Sequence, residues 1–347
     1  MLIGLTRNKR NHQNLPCLEV LDIKAGSIDQ FHTICAFQNA HRLVDLQLSC
    51  WGREPSLWNS VFIYSFRVPF DNLTNLSLDV SSNSASNSPF HCFQILSLCA
   101  KLEKCQIGID DFDHNPLSPV HFTDVDPVTL PFLKTLSIFF DGDFGSYQIL
   151  NAFSFPSLKM LTLGFIDFSQ LKIEGRPPLV DIVLRLQTRS QFSLAKLELC
   201  NMNETVDTDS ILEFFKVVPS LESFELTNCV LDVHQLSKAL LVGDSKESLL
   251  PKLASIDLSE YDEGDSIIDH GPNEDDCIAD MVESRLVALS TRNAPLAFEA
   301  VFAIFNRNLR NDVLDRLDGL EKRWRSGRLR VVPGSWDLID DQIDMDI

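Results

Sequence analysis

Phe155–Phe165 reads FPSLKMLTLGF, and its spacing, Leu158-x-x-Leu161-x-Leu163, returns along the whole chain. The same template fits Leu18/Leu21/Ile23, Leu43/Leu46/Leu48, Leu73/Leu76/Leu78, Leu102/Cys105/Ile107 and Leu133/Leu136/Ile138. It fits again at Leu194/Leu197/Leu199, Leu221/Phe224/Leu226 and Leu253/Ile256/Leu258. The nine first positions lie 25, 30, 29, 31, 25, 36, 27 and 32 residues apart. Self-similarity at such a period marks a stacked repeat architecture of the leucine-rich kind.

The spacing has a geometric meaning. Side chains alternate faces along a strand, so the second and third apolar residues, two apart, point into a core while the residue between them points out. The first apolar residue, three earlier, suits a chain entering the strand from a turn. One strand with a single apolar face cannot bury itself, but copies stacked as a parallel sheet backed by helices can. The predicted fold class is therefore α/β, a leucine-rich-repeat solenoid or horseshoe with a parallel concave sheet and a C-terminal helical cap. Nine strands would span roughly 38 Å at about 4.8 Å per gap.

Composition bounds the function classes. Of 347 residues, 44% are hydrophobic and 23% charged, ordinary for a folded chain, but the formal net charge is -19. That balance argues against nucleic acid and anionic membranes as partners and leaves basic proteins open. Nine cysteines form an odd count without paired framework spacing. Met1–Leu5 is too short for the apolar core of a signal peptide, and no stretch is long enough for a membrane span. A reducing compartment, cytoplasm or nucleus, is expected, which makes the Asn-x-Ser/Thr sites at Asn72, Asn75 and Asn203 irrelevant.

Five segments follow from the pattern. Residues 1–14 are a polar, basic lead-in; 15–262 hold the array of about nine repeats; 263–277 form an acidic loop. Residues 278–332 make a closing repeat and cap, and 333–347 an acidic tail. Between strands, helices are predicted after Ser27 or Asp29, from Pro89, over Leu179–Leu186, over Ile211–Val218 behind the capping candidates Asp207, Thr208 and Asp209, and over Val233–Leu241. Ser81–Ser88 and Asp110–Pro127 read as loops. In the cap, Ile278–Ser290 reads as helix, and Val301, Ala303 and Phe305 alternate as a further strand. Asp312–Trp324 places Val313, Leu317, Leu320 and Trp324 on one helical face. Leu329–Val332 reads as a last short strand.

With these elements set out, the chain resembles the leucine-rich-repeat portion of the F-box proteins of mushroom-forming fungi. The resemblance rests on the LPxLxxLxL form of Leu15–Ile23, Leu130–Ile138 and Leu250–Leu258. It rests also on the closing element Met281-Val282-Glu283-Ser284-Arg285, and on the final helix, Gly327 and short strand of Val313–Val332. It implies a substrate receptor of a cullin-type ubiquitin ligase, joined by an F-box to a Skp-type adaptor. No F-box of the LPxE-L-L-x-x-I-F kind precedes Leu15 in this sequence. The expected function is thus a protein-recognition module: such a receptor, or an F-box-less paralogue or fragment of one. The alternative is a stand-alone interaction scaffold with no ubiquitin link.

Chemistry-bearing motifs are sparse. Asp143-Phe144-Gly145 matches one kinase element, without the glycine-rich loop, lysine strand or catalytic loop that would give it meaning. Asp110, Asp111, Asp113, His114, His121, Asp124 and Asp126 are rich in oxygen and nitrogen donors. An EF-hand from Asp111 would, however, place Pro116 where glycine belongs and Phe122 where the bidentate glutamate belongs. Cys92, Cys99 and Cys105 fall in apolar patterns and read as core thiols rather than zinc ligands. Lys322, Arg323, Arg325, Arg328 and Arg330 complement a helix C-terminus. No enzyme activity, cofactor or metal is expected.

The candidate partner-binding residues are the outward positions between the paired apolar ones: Asp22, Gln47, Ser77, Gln106, Ser137, Thr162, Glu198, Glu225 and Asp257. Glu198, Glu225 and Asp257 occupy one slot on three successive strands, where like charges disfavour folding. Either Lys196 and mobile ions neutralise them, or they receive a basic segment of a partner protein.

Overall fold

In a computed structural model, the residues described are 15–25, 37, 39–50, 68–78, 89–110, 122, 126–141, 144–166, 179–202, 207–227, 229, 231–242, 248–260, 274–290, 299–304, 311–324 and 328–331. They form an α/β protein that divides into two compact units, Met1–Ser193 and Leu194–Ile347. The division falls inside the expected array 15–262, at the widest repeat spacing, the 36 residues from Leu158 to Leu194.

The first unit carries β1 (Val20–Ala25), β2 (Asp45–Cys50), β3 (Asn75–Leu78), β4 (Lys104–Asp110), the two-residue β5 (Val128–Thr129), β6 (Thr135–Asp141), the two-residue β7 (Phe153–Ser154) and β8 (Met160–Phe165). β1, β2, β3, β4, β6 and β8 pair in that order, all parallel. The second unit carries β9 (Lys196–Cys200), β10 (Ser223–Thr227), β11 (Ser255–Glu260), β12 (Glu299–Ile304) and β13 (Arg328–Val331), again parallel and in chain order. Every strand predicted from a Leu-x-x-Leu-x-Leu copy is present.

The template works as its geometry requires. At each copy the second and third apolar residues are buried, from Leu21 and Ile23 to Ile256 and Leu258. The first apolar residue closes a turn: the amides of Leu43, Leu73, Leu102, Leu133, Leu158, Leu221 and Leu253 each donate to the carbonyl three residues earlier. That carbonyl belongs to Ala40, Phe70, Cys99, Leu130, Phe155, Val218 or Leu250, all buried. A further core slot, three before the first leucine, therefore belongs to the repeat. Successive turns are tied by one carbonyl serving two amides of the next copy, as when Glu103 O receives Lys134 N and Thr135 N. This three-centre pattern repeats down each unit and fixes the register of its stack.

The helices are α1 (Pro89–Leu98), α2 (Leu179–Ser190), α3 (Thr208–Val217), α4 (Val233–Ala239), α5 (Glu274–Ser290) and α6 (Asn311–Trp324). Asp207 caps α3 by accepting from Ser210 N at 2.8 Å, and Asp232 caps α4 by accepting from Gln235 N at 2.8 Å. Each satisfies an amide that the first helical turn leaves without a partner. Between β4 and β8, a 3-10 helix over Phe144–Ala152 and the β5–β7 pair supply the next layer. Its core is aromatic: Phe93 lies 5.5 Å from Phe153 and 5.9 Å from Phe122, and Phe140 lies 5.6 Å from Phe165.

Two expectations are corrected. The acidic stretch 263–277 does not run unbroken to the cap, because α5 begins at Glu274; acidic residues suit a helix N-terminus, where the dipole is positive. The alternation Val301, Ala303, Phe305 has the right strand in the wrong phase. Register sets Ala300 and Phe302 in line with the core positions Ile256 and Leu258, and Val301 beside Asp257. Phe122, within the stretch Asp110–Pro127, is buried. The helix expected after Ser27 or Asp29, the loop Ser81–Ser88, the lead-in 1–14 and the tail 333–347 lie outside the described residues, apart from the buried Phe37.

Candidate functional site

The outward positions form two rows, one in each unit. In the first, Asp22, Gln47, Ser77, Gln106, Ser137 and Thr162 are register partners from strand to strand. In the second, Glu198, Glu225 and Asp257 are partners, and the row continues in register to Val301 and Arg330. All nine predicted residues are exposed or half-exposed, while the neighbours on either side along the strand are buried. Period two and parallel pairing together give each row, since in-register strands align equivalent residues.

The row of the first unit is made of amides and hydroxyls, with one carboxylate at Asp22. Beside it runs a second outward row, Val20, Asp45, Asn75, Lys104, Thr135 and Met160, in which Asn75 Nδ2 donates to Asp45 Oδ2 at 2.9 Å. Val20 and Met160 are exposed apolar residues at its two ends. Two residues beyond the main row, Phe139 is half-buried and stands in register between Gly108 and Gly164. This face therefore offers hydrogen-bonding groups with one aromatic set between two positions that carry no side chain. Neither Phe139 nor Met160 was among the residues expected; the outward parity of position 139 and its flanking glycines were legible.

The row of the second unit is charged. Lys196 Nζ lies 2.7 Å from Glu225 and 3.6 Å from Glu198, with 31% of its side chain exposed against 29% and 26% for the two carboxylates. Burial acts to lower the Lys196 pKa, but the hydrogen bond and charge of Glu225, then those of Glu198, outweigh it and hold the ammonium above its ordinary value. Lys196 thus bridges two of the three like charges, which supplies a folding reason for their arrangement. The four side chains still sum to -2. Cys200, next along β9, has its thiol pushed up to about 12, first by burial and then by the Glu198 charge. It donates to Glu198 Oε1 at 3.7 Å.

Among the described residues, no group of three His, Cys, Asp or Glu side chains is placed to hold a metal ion. Asp110 and Asp126 are the described members of the acidic loop set; the rest lie outside. Cys92, Cys99 and Cys105 are buried and their thiol pKa values are raised by burial. Among the described residues no helix is long and apolar enough to cross a membrane. No protein-family model matches the chain, and no curated protein matches it.

Proposed function

We propose that the chain is a leucine-rich-repeat solenoid that recognises another protein through the outward face of its parallel strands. The observation that carries this reading is the coincidence at every copy of a buried apolar pair with an exposed polar residue between them. A scaffold so built keeps its fold in one set of positions and its contacts in another, as binding solenoids do. The system in which it acts is a cullin-type ubiquitin ligase, with the chain as substrate receptor or as an F-box-less paralogue or fragment of one. It works without cofactor or metal, in cytoplasm or nucleus, and its partner is a protein rather than nucleic acid or membrane.

The second reading is a stand-alone interaction scaffold with no ubiquitin link. Co-purification with a Skp-type adaptor separates the two: it is expected only where an F-box is joined to the array, and not with this chain alone. The recognition surface is tested by affinity capture from native extract with two variants, Q47A/Q106A/T162A and E198Q/E225Q/D257Q. Both should keep the fold and lose captured partners. Full capture by both would refute the outward rows as the binding face.

A further inference from the structure

Two arginines bond backward onto the segment that leads into their own repeat's strand. Arg189, near the end of α2, donates from Nε to Phe153 O at 2.8 Å and from Nη2 to Leu150 O at 2.8 Å. Its neighbour Ser190, buried, accepts from Phe155 N at 2.9 Å. These partners belong to the segment entering β8, the strand that precedes α2. Arg285, in α5 and 2% exposed, donates to Leu240 O at 2.9 and 2.8 Å, to Leu249 O at 2.7 Å and to Leu250 O at 2.6 Å. Its neighbour Ser284 accepts from Val242 N at 3.1 Å. These partners belong to the segment entering β11, the strand that precedes α5.

Among the described residues, both helices also follow the longest strand-to-helix connections. Residues 166–178 separate β8 from α2 and residues 261–273 separate β11 from α5, thirteen in each case. The connections before α1, α3, α4 and α6 are shorter: 79–88, 201–207, 228–232 and 305–310. α1, α3 and α4 contain no arginine, and Arg316 of α6 pairs with Asp280 and Glu283 rather than with carbonyls. A short connection positions a helix on its strand by itself. A long one does so weakly, because the entropy of closing a loop grows with its length.

We infer that Arg189 and Arg285 are fasteners which close the two repeats with thirteen-residue connections through side chain rather than through connection. The planar guanidinium suits the task, since its fork reaches several carbonyls at once while a lysine offers one point charge. In the second unit the fastened turn includes Leu250, whose φ of 48° is unfavourable for a leucine and whose carbonyl takes the shortest of the four bonds. The Met281–Arg285 motif thereby acquires a role for its parts. Met281 and Val282 enter the core, Glu283 holds Arg316 of α6, and Ser284 and Arg285 hold the turn before β11. The consequence is that the intervening thirteen residues are dispensable for folding.

Amide hydrogen exchange on the full chain tests this with three variants: Arg285→Met, Arg285→Lys, and a deletion of residues 264–270 that keeps Arg285. Loss of several bonds to a charged donor should cut protection of residues 249–258 and 278–286 by about 100-fold in Arg285→Met, while 221–227 keep theirs. Arg285→Lys should lose an intermediate amount, and the deletion should leave protection within about threefold of the native chain. Unchanged protection in Arg285→Met, full rescue by lysine, or a deletion as damaging as Arg285→Met would overturn the inference. If Arg285→Met does not fold, Arg189→Met answers the same question in the first unit. There protection of 153–163 should fall while 43–48 is retained, and a uniform effect or none would refute it.

Discussion

Replacing Lys196 with glutamine should destabilise the second unit in a way that salt abolishes. The change removes the ammonium 2.7 Å from Glu225 and 3.6 Å from Glu198, and leaves Glu198, Glu225 and Asp257 in adjacent register on β9, β10 and β11. Neighbouring carboxylates at about 5 Å repel by roughly 0.8 kcal/mol per pair in water, so two adjacent pairs give about 1.6 kcal/mol. Half-exposed ion pairs of this kind contribute about 0.2–1 kcal/mol each. Part of the repulsion is relieved by side-chain rotation, so the expected loss is about 1–2 kcal/mol at low salt. Urea unfolding followed by far-ultraviolet circular dichroism should show that loss at about 10 mM salt and little of it at about 1 M, where the screening length is near 3 Å. The variant K196Q/E198Q/E225Q should regain most of the stability. The pH dependence has a fixed sign: a lysine whose folded pKa is raised contributes fully below its unfolded value of about 10.4, and the contribution disappears as pH climbs through the folded value. A loss equal at both salt concentrations, or no rescue by the double glutamine background, would refute the bridge as the reason for these carboxylates.

Leu161→Ala should cost about 2–5 kcal/mol, because Leu161 is 0% exposed on β8, whereas Thr162→Ala should cost under about 0.5 kcal/mol; equal losses in urea melts would contradict the alternation. Asp207→Ala should remove about 1 kcal/mol by uncapping α3. The hydrogen bonds from the Ser210 side chain and amide hold the Asp207 pKa below its usual value. Its contribution is therefore present above about pH 3.9 and fades as pH falls through the folded value, which thermal melts in an acid series would follow. In the native chain at about pH 8, alkylation read by peptide mass spectrometry should mark exposed Cys17 and spare Cys92, Cys99, Cys105 and Cys229, whose burial suppresses the thiolate.

The strands were legible because each repeat writes its fold twice, once in the paired apolar residues and once in the leucine that ends the turn. Leu158, Leu161 and Leu163 carry enough information to place β8 without help from elsewhere. Legibility failed where that redundancy is missing. In Ala300–Phe305 the apolar residues run nearly without a break, so either parity fits the letters, and only pairing with Ile256 and Leu258 chooses between them. β5 and β7 are two residues each and exist through each other, which leaves no periodic trace. The acidic letters of Glu274–Asp276 suggest a loop until the helix they begin is seen. At the candidate site, the outward residues could be read one strand at a time. Lys196 could be suspected of neutralising the acidic row, but its bridge depends on a reach from β9 to β10 that spacing alone does not measure. Arg189 and Arg285 could not be read at all, because their partners are backbone carbonyls 35 to 45 residues away, and backbone atoms leave no mark in a sequence.

The Phe139 ring between Gly108 and Gly164 constrains how this surface can diverge. Strands sit about 4.8 Å apart, so a bulky residue at either glycine would compete with the ring for the same space. The three positions, on three strands and 25 to 31 residues apart, therefore form one heritable unit. A lineage that enlarges one glycine first meets a penalty which a smaller residue at 139 removes, so the order of substitutions matters. Elsewhere on the row, at Gln106, Ser137 or Thr162, each position can change alone. Related chains compared side by side should show positions 108, 139 and 164 varying together in bulk while the main row drifts residue by residue, so that two neighbouring stripes of one sheet keep different evolutionary time.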